Sequence, residues 1–468
     1  MVVLLNGYQI FCQHLISTRL FIHFFTFPFG SVFTRCYAGY GEVGRVLSMI
    51  RGREVEDKEV NIEEMEGNDS RDDKYESVLE EIDLNVMASD KSRPNKIRRF
   101  DLNLEIESQD ADYYPNIPHL GDELPRIPRE VKTMIMARIP LLEMRTFCLL
   151  NKRISALIKN GGLVRERKEI GVREASVFML ASGENNWWAF DNRFSTRKTL
   201  PNLPSDDTFK RADKESVCAG THLLVIGKEA HGPVIWTYEL LVNKWVKGSL
   251  MNEPRCLFAS ASSGDFAYVA GGTCLGTFGT LNSAEKYDPG TKSWVPLPKM
   301  KEKRKMCAGF YMDDKFHVVG GQSQSGEALT CAEVFDEVKN TWIKIPGILN
   351  GLTVSASPPL VAVVKNELYT FETSTNSLML YLKDSNCWKD LGPIPVRADS
   401  GKGWGVAFKS LGDELLAIGG SSILPWGRGM TVYTCSPKLD AEGLDWKLLD
   451  DGRNSRSAFV MNCTVMIA

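Results

Sequence analysis

Arginine recurs at one kind of place in the second half of this chain: Arg255, Arg304 and Arg456 each stand ten residues after a tryptophan, and Arg397 stands nine after one. Arg211 fills the corresponding place in an earlier stretch, while Leu352 breaks the series. A guanidinium stays charged at physiological pH and presents its donors as a planar fork, so a ring of them would grip carboxylates through paired hydrogen bonds. The chemistry to expect is capture of a target protein through an acidic segment. The competing reading is structural, with each arginine bracing neighbouring segments through backbone carbonyls. Lys299, Lys301, Lys303 and Lys305 crowd around Arg304 and add positive potential there.

No comparable constellation supports catalysis. Only His222, His231 and His317 lie beyond residue 176, in separate stretches, which argues against a histidine-built metal centre. The glycines of 401–405 lack the strand, helix and lysine that a phosphate loop needs, and read as a surface loop. Eleven cysteines occur singly, without a CxxC pair, as expected for reduced thiols in the nucleus or cytoplasm. A net charge of −3 announces neither nucleic acid nor membrane as a partner. The chain is read as a non-enzymatic binding protein, with no cofactor and no metal.

A repeat positions these residues. An aromatic residue is followed seven positions later by tryptophan four times: Tyr238 and Trp245, Tyr287 and Trp294, Phe335 and Trp342, Tyr381 and Trp388. These tryptophans advance by 49, 48 and 46 residues, and hydrophobic runs end in double glycines at 271–272, 320–321 and 419–420. A unit just short of fifty residues is one four-stranded propeller blade, and residues 176–468 hold six. Trp446 follows Tyr433 by thirteen, which reads as a six-residue insertion. The opening segment, 176–204, is too short for four strands, whereas 457–467 looks like the start of a blade. That last segment is expected to supply the missing outer or inner strand of the first blade and so close the ring.

Residues 1–118 read as a largely disordered extension. The first forty are apolar and aromatic with no acid before Glu42; a targeting peptide and an extension without function both remain open. Its longest apolar run, 20–29, has about half of the ~20 residues needed to span a bilayer. Residues 54–83 are acidic and poor in large apolar side chains, the composition of a disordered segment. Lys91, Arg93, Lys96, Arg98 and Arg99 fit either a nuclear import signal or a solvated linker.

From Pro128 the periodicity becomes helical. Val131, Met134, Ile135 and Ile139 share one stripe, Pro140 stops it, and Met144, Phe147, Cys148, Leu149 and Leu150 lead into Ile154, Leu157 and Ile158. Gly161 and Gly162 are expected to end the last helix. Three short helices bury too little surface to stand alone, so a leftover apolar stripe calls for a partner.

The stretch LPRIPREVKTMIMARIPLLEMRTFCLLNKRISALI, residues 124–158, resembles the F-box. Leu124 and Pro125 open it, Pro128, Ile135, Ile139 and Pro140 follow, and Lys152, Arg153, Leu157 and Ile158 close it. It departs at Leu150 and Asn151, where valine and serine are usual, and at Ile154, where tryptophan is usual. The repeats resemble kelch repeats, and the two modules in this order, over 120–468, look like the plant F-box/kelch-repeat family.

That resemblance implies a mainly β chain: a six-bladed kelch β-propeller over 176–468, preceded by a small all-α F-box over 119–165 and a disordered N-terminal region. It also implies the substrate-recognition subunit of a Skp–cullin–F-box ubiquitin ligase. The F-box would meet a Skp-type adaptor, with cullin and RING subunits beyond, through Leu124, Pro125, Pro128, Val131, Ile135, Ile139, Leu149 and Leu157. The propeller would hold the target, for which Arg211, Arg255, Arg304, Arg397 and Arg456 are the candidates from spacing. The alternative is a kelch scaffold or oxidase-like enzyme, unconnected with ubiquitination, whose helices only cap the propeller.

Overall fold

The computed structural model describes residues 129–353, 357–398, 403–423, 429–437, 444–453 and 456–468. The N-terminal extension, its basic run, and Leu124, Pro125 and Pro128 lie outside the described residues.

Continuous apolar runs such as 223–226 and 415–418 suit strands buried on both faces, and they sit in a set of six antiparallel blades. The second to sixth blades run over 215–247, 259–297, 308–345, 361–393 and 407–451, each built on four antiparallel strands. Their opening strands touch in an unbroken circuit, from 215–219 through 259–262, 308–312, 361–364 and 407–411 to 460–467 and back. These are therefore the innermost strands, and the ring is closed. The first blade takes its inner strand from the chain end: Val460–Ile467 pairs with Ala175–Ala181, followed outward by Trp188–Asp191 and Arg197–Thr199. The missing strand is the inner one, and pairing it covers an edge that would otherwise template association.

The step of seven is a hairpin register. Tyr238, Tyr287, Phe335 and Tyr381 stand directly opposite Trp245, Trp294, Trp342 and Trp388, with ring centroids 5.1–5.3 Å apart. Each of these tryptophans also donates its indole N–H to a carbonyl at the exit of the preceding blade. The acceptors are Pro201 (2.8 Å), Ser249 (3.1 Å), Pro298 (2.7 Å) and Ile348 (2.6 Å) in turn. One side chain thus joins two blades by packing and by a hydrogen bond. Blade six departs from the expectation: Tyr433 faces Leu448, while Trp446 faces Cys435 and its indole N–H has no partner among the described residues. An insertion confined to the loop would have left Tyr433 opposite Trp446, so the pairing itself has shifted.

Two of the double glycines are required by the backbone. Gly271 and Gly272 have φ of 67° and 92°, and Gly320 and Gly321 have 68° and 87°. A Cβ on Gly272 would lie 2.5 Å from the Cys256 carbonyl oxygen, and one on Gly321 2.5 Å from that of Lys305. Each pair lets the chain entering a blade cross the end of its second strand. Gly419 and Gly420 instead continue the strand Glu414–Ser421, so the third pair closes nothing.

The helical segment contributes α1 (Arg129–Ala137), α2 (Met144–Phe147), α3 (Lys152–Lys159) and α4 (Gly162–Glu169). Asn151 caps α3 by accepting the Ile154 N–H at 2.9 Å. Gly161, at φ 75°, does not end the set but turns the chain into a fourth helix, and the helical unit runs past residue 165. Nor does the unit stand apart from the propeller. Ile139, Leu141, Leu142, Met144, Ile158 and Leu163 share one buried cluster with Phe178 and Trp187 of blade one and Leu223 and Tyr238 of blade two. Arg167, 1% exposed, donates to the Ala137 and Ile139 carbonyls at 2.8 and 2.7 Å and pairs with Glu174 at 2.9 Å. The Glu174 carboxylate also takes the Leu141 N–H at 2.7 Å, and its backbone exchanges hydrogen bonds with Ala468. The helices are thus fastened to the closing strand, which supplies the core they are too small to make.

His317 gives this core a pH dependence. It is 4% exposed, stacks on Phe310 with centroids 4.8 Å apart, and its Nδ1–H donates to the Lys315 carbonyl at 3.0 Å. Burial pushes its pKa down to about 4, against 6.5 for an ordinary histidine, with Lys315, Asp313 and Lys383 as lesser influences. The unfolded chain therefore takes up the proton first as pH falls. Stability present above pH 6.5 is lost toward pH 4, by at most about 3 kcal/mol. Melting temperature should fall less steeply between pH 6.5 and 5 in His317→Phe than in the wild type; parallel slopes would remove His317 from the account.

Candidate functional site

Strand direction decides which loops share an end. Loops between second and third strands, and those leading from a fourth strand to the next blade, lie at one end; the remaining loops lie at the other. The helical unit occupies the second end. Lys168 pairs there with Asp265, between the first two strands of blade three, and Gly161 lies against Leu241, between the last two of blade two. The first end is left to the loops that carry the five arginines.

Those arginines do not form a ring. Arg255 is fully buried: it pairs with Glu285 at 2.7 Å and donates to the Gly271 and Ser283 carbonyls at 3.1 and 2.8 Å. Arg304, equally buried, repeats this with Glu333 at 2.8 Å and the Gly320 and Cys331 carbonyls at 3.0 and 3.1 Å. Glu285 in turn accepts the N–H groups of Asn252 and Glu253, and Glu333 those of Lys301 and Glu302. Blades three and four therefore use one arginine–glutamate clasp to hold the entering chain across the double glycine. Arg456, 8% exposed, lies over the Trp188 and Phe190 rings at 4.6 and 5.2 Å. Arg397 and Arg211, the latter at the end of α5 (Asp207–Arg211), are exposed. The ring expected from spacing is thus corrected: a guanidinium with no exposed surface, held by a carboxylate and two carbonyls, is out of reach of a ligand. The distinguishing signal was Glu285 and Glu333, each two residues before the blade's aromatic; blade six has Thr431 there.

The residues expected to face the adaptor also separate. Ile139 is 4% exposed inside the shared cluster and Leu157 packs against it, so both serve the joint with the propeller and Ile139 is corrected as a contact. Val131 and Ile135 are half-buried, whereas Met136 packs against the cluster and Ala137 is fully buried. Leu149 is 74% exposed, and so in part are Leu150 (48%) and Met134 (38%), which sequence reasoning passed over as contacts. The unit is therefore shut on the propeller through one set of apolar residues and leaves another set exposed. Exposed leucines and methionine on so small a unit are available to a protein partner.

Among the described residues no group of three or more His, Cys, Asp or Glu side chains is placed to hold a metal ion, and no helix is long and apolar enough to cross a membrane. Burial pushes the thiols of Cys307 and Cys435 up to about 11 and those of Cys218 and Cys463 up to about 12, so they stay protonated and unreactive.

A closed six-bladed propeller with a helical unit fused to one end defines the class, and comparison with known proteins places the chain within it. The Kelch motif matches residues 254–301, which are blade three and the chain on either side of it. F-box/kelch-repeat protein At3g27150 of Arabidopsis thaliana is 47% identical over 371 residues, 78% of this chain and 86% of that protein. From the same plant, F-box/kelch-repeat protein At1g26930 is 36% identical over 375 residues, covering 78% and 87%. F-box/kelch-repeat protein SKIP11, also from that plant, is 34% identical over 410 residues, 85% of each chain. The chain belongs to the plant F-box/kelch-repeat protein family.

Proposed function

We propose that this chain is the substrate-recognition subunit of a Skp–cullin–F-box ubiquitin ligase. The helical unit binds a Skp-type adaptor, and through it cullin and RING subunits, while the far end of the propeller holds a target protein. The observation that carries this reading is the open apolar surface of Met134, Leu149 and Leu150 on a unit whose other side is already shut. Catalysis then belongs to other subunits: this chain keeps target lysines near the charged conjugating enzyme, which raises their effective concentration. The buried joint at Arg167 and Glu174 serves that purpose, because a fixed angle between the two ends keeps the target within reach.

Leu124, Pro125, Pro128, Val131, Ile135 and Leu149 are the proposed adaptor contacts, and Arg211 and Arg397 stay as proposed target contacts. The proposed place of action is the nucleus or cytoplasm, which suits the nine free thiols among the described residues. Neither nucleic acid nor membrane is among the proposed partners. Replacing Leu149→Asp together with Leu150→Asp in the full chain tests the reading. Adaptor affinity should fall about a hundredfold, with the melting temperature unchanged because neither leucine belongs to the shared cluster. Undiminished adaptor capture would favour the scaffold reading, in which the helices only cap the propeller.

A further inference from the structure

We propose that the target binds off the propeller axis, on a patch of blade three where Leu250, Leu275 and Phe278 stand with Lys299, Lys301 and Lys303, and that the segment bound carries acidic residues around a large apolar one. The proposal rests on the receptor reading and names the chemistry at its free end.

Phe278 is the first observation. It is 74% exposed and held at φ 56°, a left-handed conformation that bulky side chains rarely take. The Phe278 N–H donates to the Cys274 carbonyl at 2.9 Å, and the Cys274 N–H to the Gly279 carbonyl at 2.9 Å, which fixes the ring at the tip of a tight turn. An aromatic ring set in water at a hydrogen-bonded turn is available to a partner. Leu250, 49% exposed, and Leu275 line one small hollow together with Pro233 and Pro254, and the Leu275 N–H donates to the Pro254 carbonyl at 3.0 Å. The patch is therefore apolar and backed by fixed backbone.

Charge is the second, independent observation. The lysine loop is tied to the same turn-bearing segment, because Met300 N–H donates to the Asn282 carbonyl at 2.7 Å and Arg304 N–H to the Leu281 carbonyl at 3.0 Å. Lys299, Lys301 and Lys303 are exposed and form no ion pair among the described residues. Glu302, the acid between them, is engaged by Lys344 at 2.6 Å, and the neighbouring entering chain offers one half-buried acid, Glu253. An apolar anchor beside three unpaired cations is complementary to an acidic, apolar-centred segment. The buried Arg304 clasp, which removes that arginine from binding, is what holds the lysines in place.

The test uses a displayed library of random short peptides selected on the immobilised full chain. Selected sequences should combine Asp or Glu with Leu, Phe or Trp, and their synthetic forms should bind more weakly as salt rises. Binding should weaken about tenfold in Phe278→Ala and again in Lys301→Glu with Lys303→Glu. It should stay unchanged in Trp404→Ala, which alters an exposed aromatic on the chain entering blade six. Melting temperature and adaptor affinity, measured on the same variants, should match the wild type. Selection of basic or uncharged peptides, equal binding by the variants, or no enriched peptide would overturn the proposal. Loss of adaptor binding in the wild type would instead overturn the receptor reading, and the two failures are read in separate assays.

Discussion

Deleting residues 460–467 is expected to abolish cooperative melting and drive the protein into aggregates. The strand is the inner element of blade one, in register from Ile467 opposite Ala175 to Asn462 opposite Leu180. Met466 is buried in the cluster shared with the helices, and Val460 and Cys463 in the one shared with blade six. At about 1.5–3 kcal/mol per buried apolar side chain and about 0.5–1.5 kcal/mol per hydrogen bond, the loss approaches the roughly 5–15 kcal/mol that holds a domain together. It also bares Ala175–Ala181, a strand with all seven residues buried, whose unpaired edge would recruit other chains. Calorimetry and size-exclusion chromatography of the truncated chain check this, and a synthetic peptide of residues 457–468 should restore the transition. A truncated chain that stays monomeric and melts sharply at the wild-type temperature would show that closure is dispensable.

Glu333→Ala is expected to cost about 3–5 kcal/mol. The substitution leaves the fully buried Arg304 charged without its carboxylate and takes the acceptor from the Lys301 and Glu302 N–H groups. Replacing the whole pair, Arg304→Met with Glu333→Leu, should recover much of the loss, since removing both charges also removes their desolvation cost. Urea unfolding of the wild type, the two single variants and the double variant measures the coupling. Were Arg304 a surface ligand for the target, Glu333→Ala would unfold at nearly the wild-type urea concentration.

The propeller was legible because its periodicity is a direct image of its geometry. A seven-residue step places Tyr287 opposite Trp294, and the same step recurs in four blades because the same hairpin does. Closure was legible from what the first and last segments lacked. The arginines were misread as a group because spacing records where a side chain leaves the backbone and not what it meets. Arg304 and Arg397 follow their tryptophans almost identically, yet one is buried against Glu333 and the other faces solvent. Ile135 and Ile139 raise the same difficulty: both are apolar and four residues apart, and only packing against the propeller decides which is shut away. α4 was hidden by its composition. Its Arg167 contradicts the habit of charges facing water, and a carboxylate and two carbonyls compensate its terminal nitrogens there.

The most direct test of the receptor reading is calorimetric titration of a Skp-type adaptor into the full chain and into its Leu149→Asp, Leu150→Asp variant. Saturable one-to-one binding by the wild type is predicted, with affinity about a hundredfold lower in the variant and the same melting temperature for both. Equal binding by the two proteins, or none by the wild type, would contradict it.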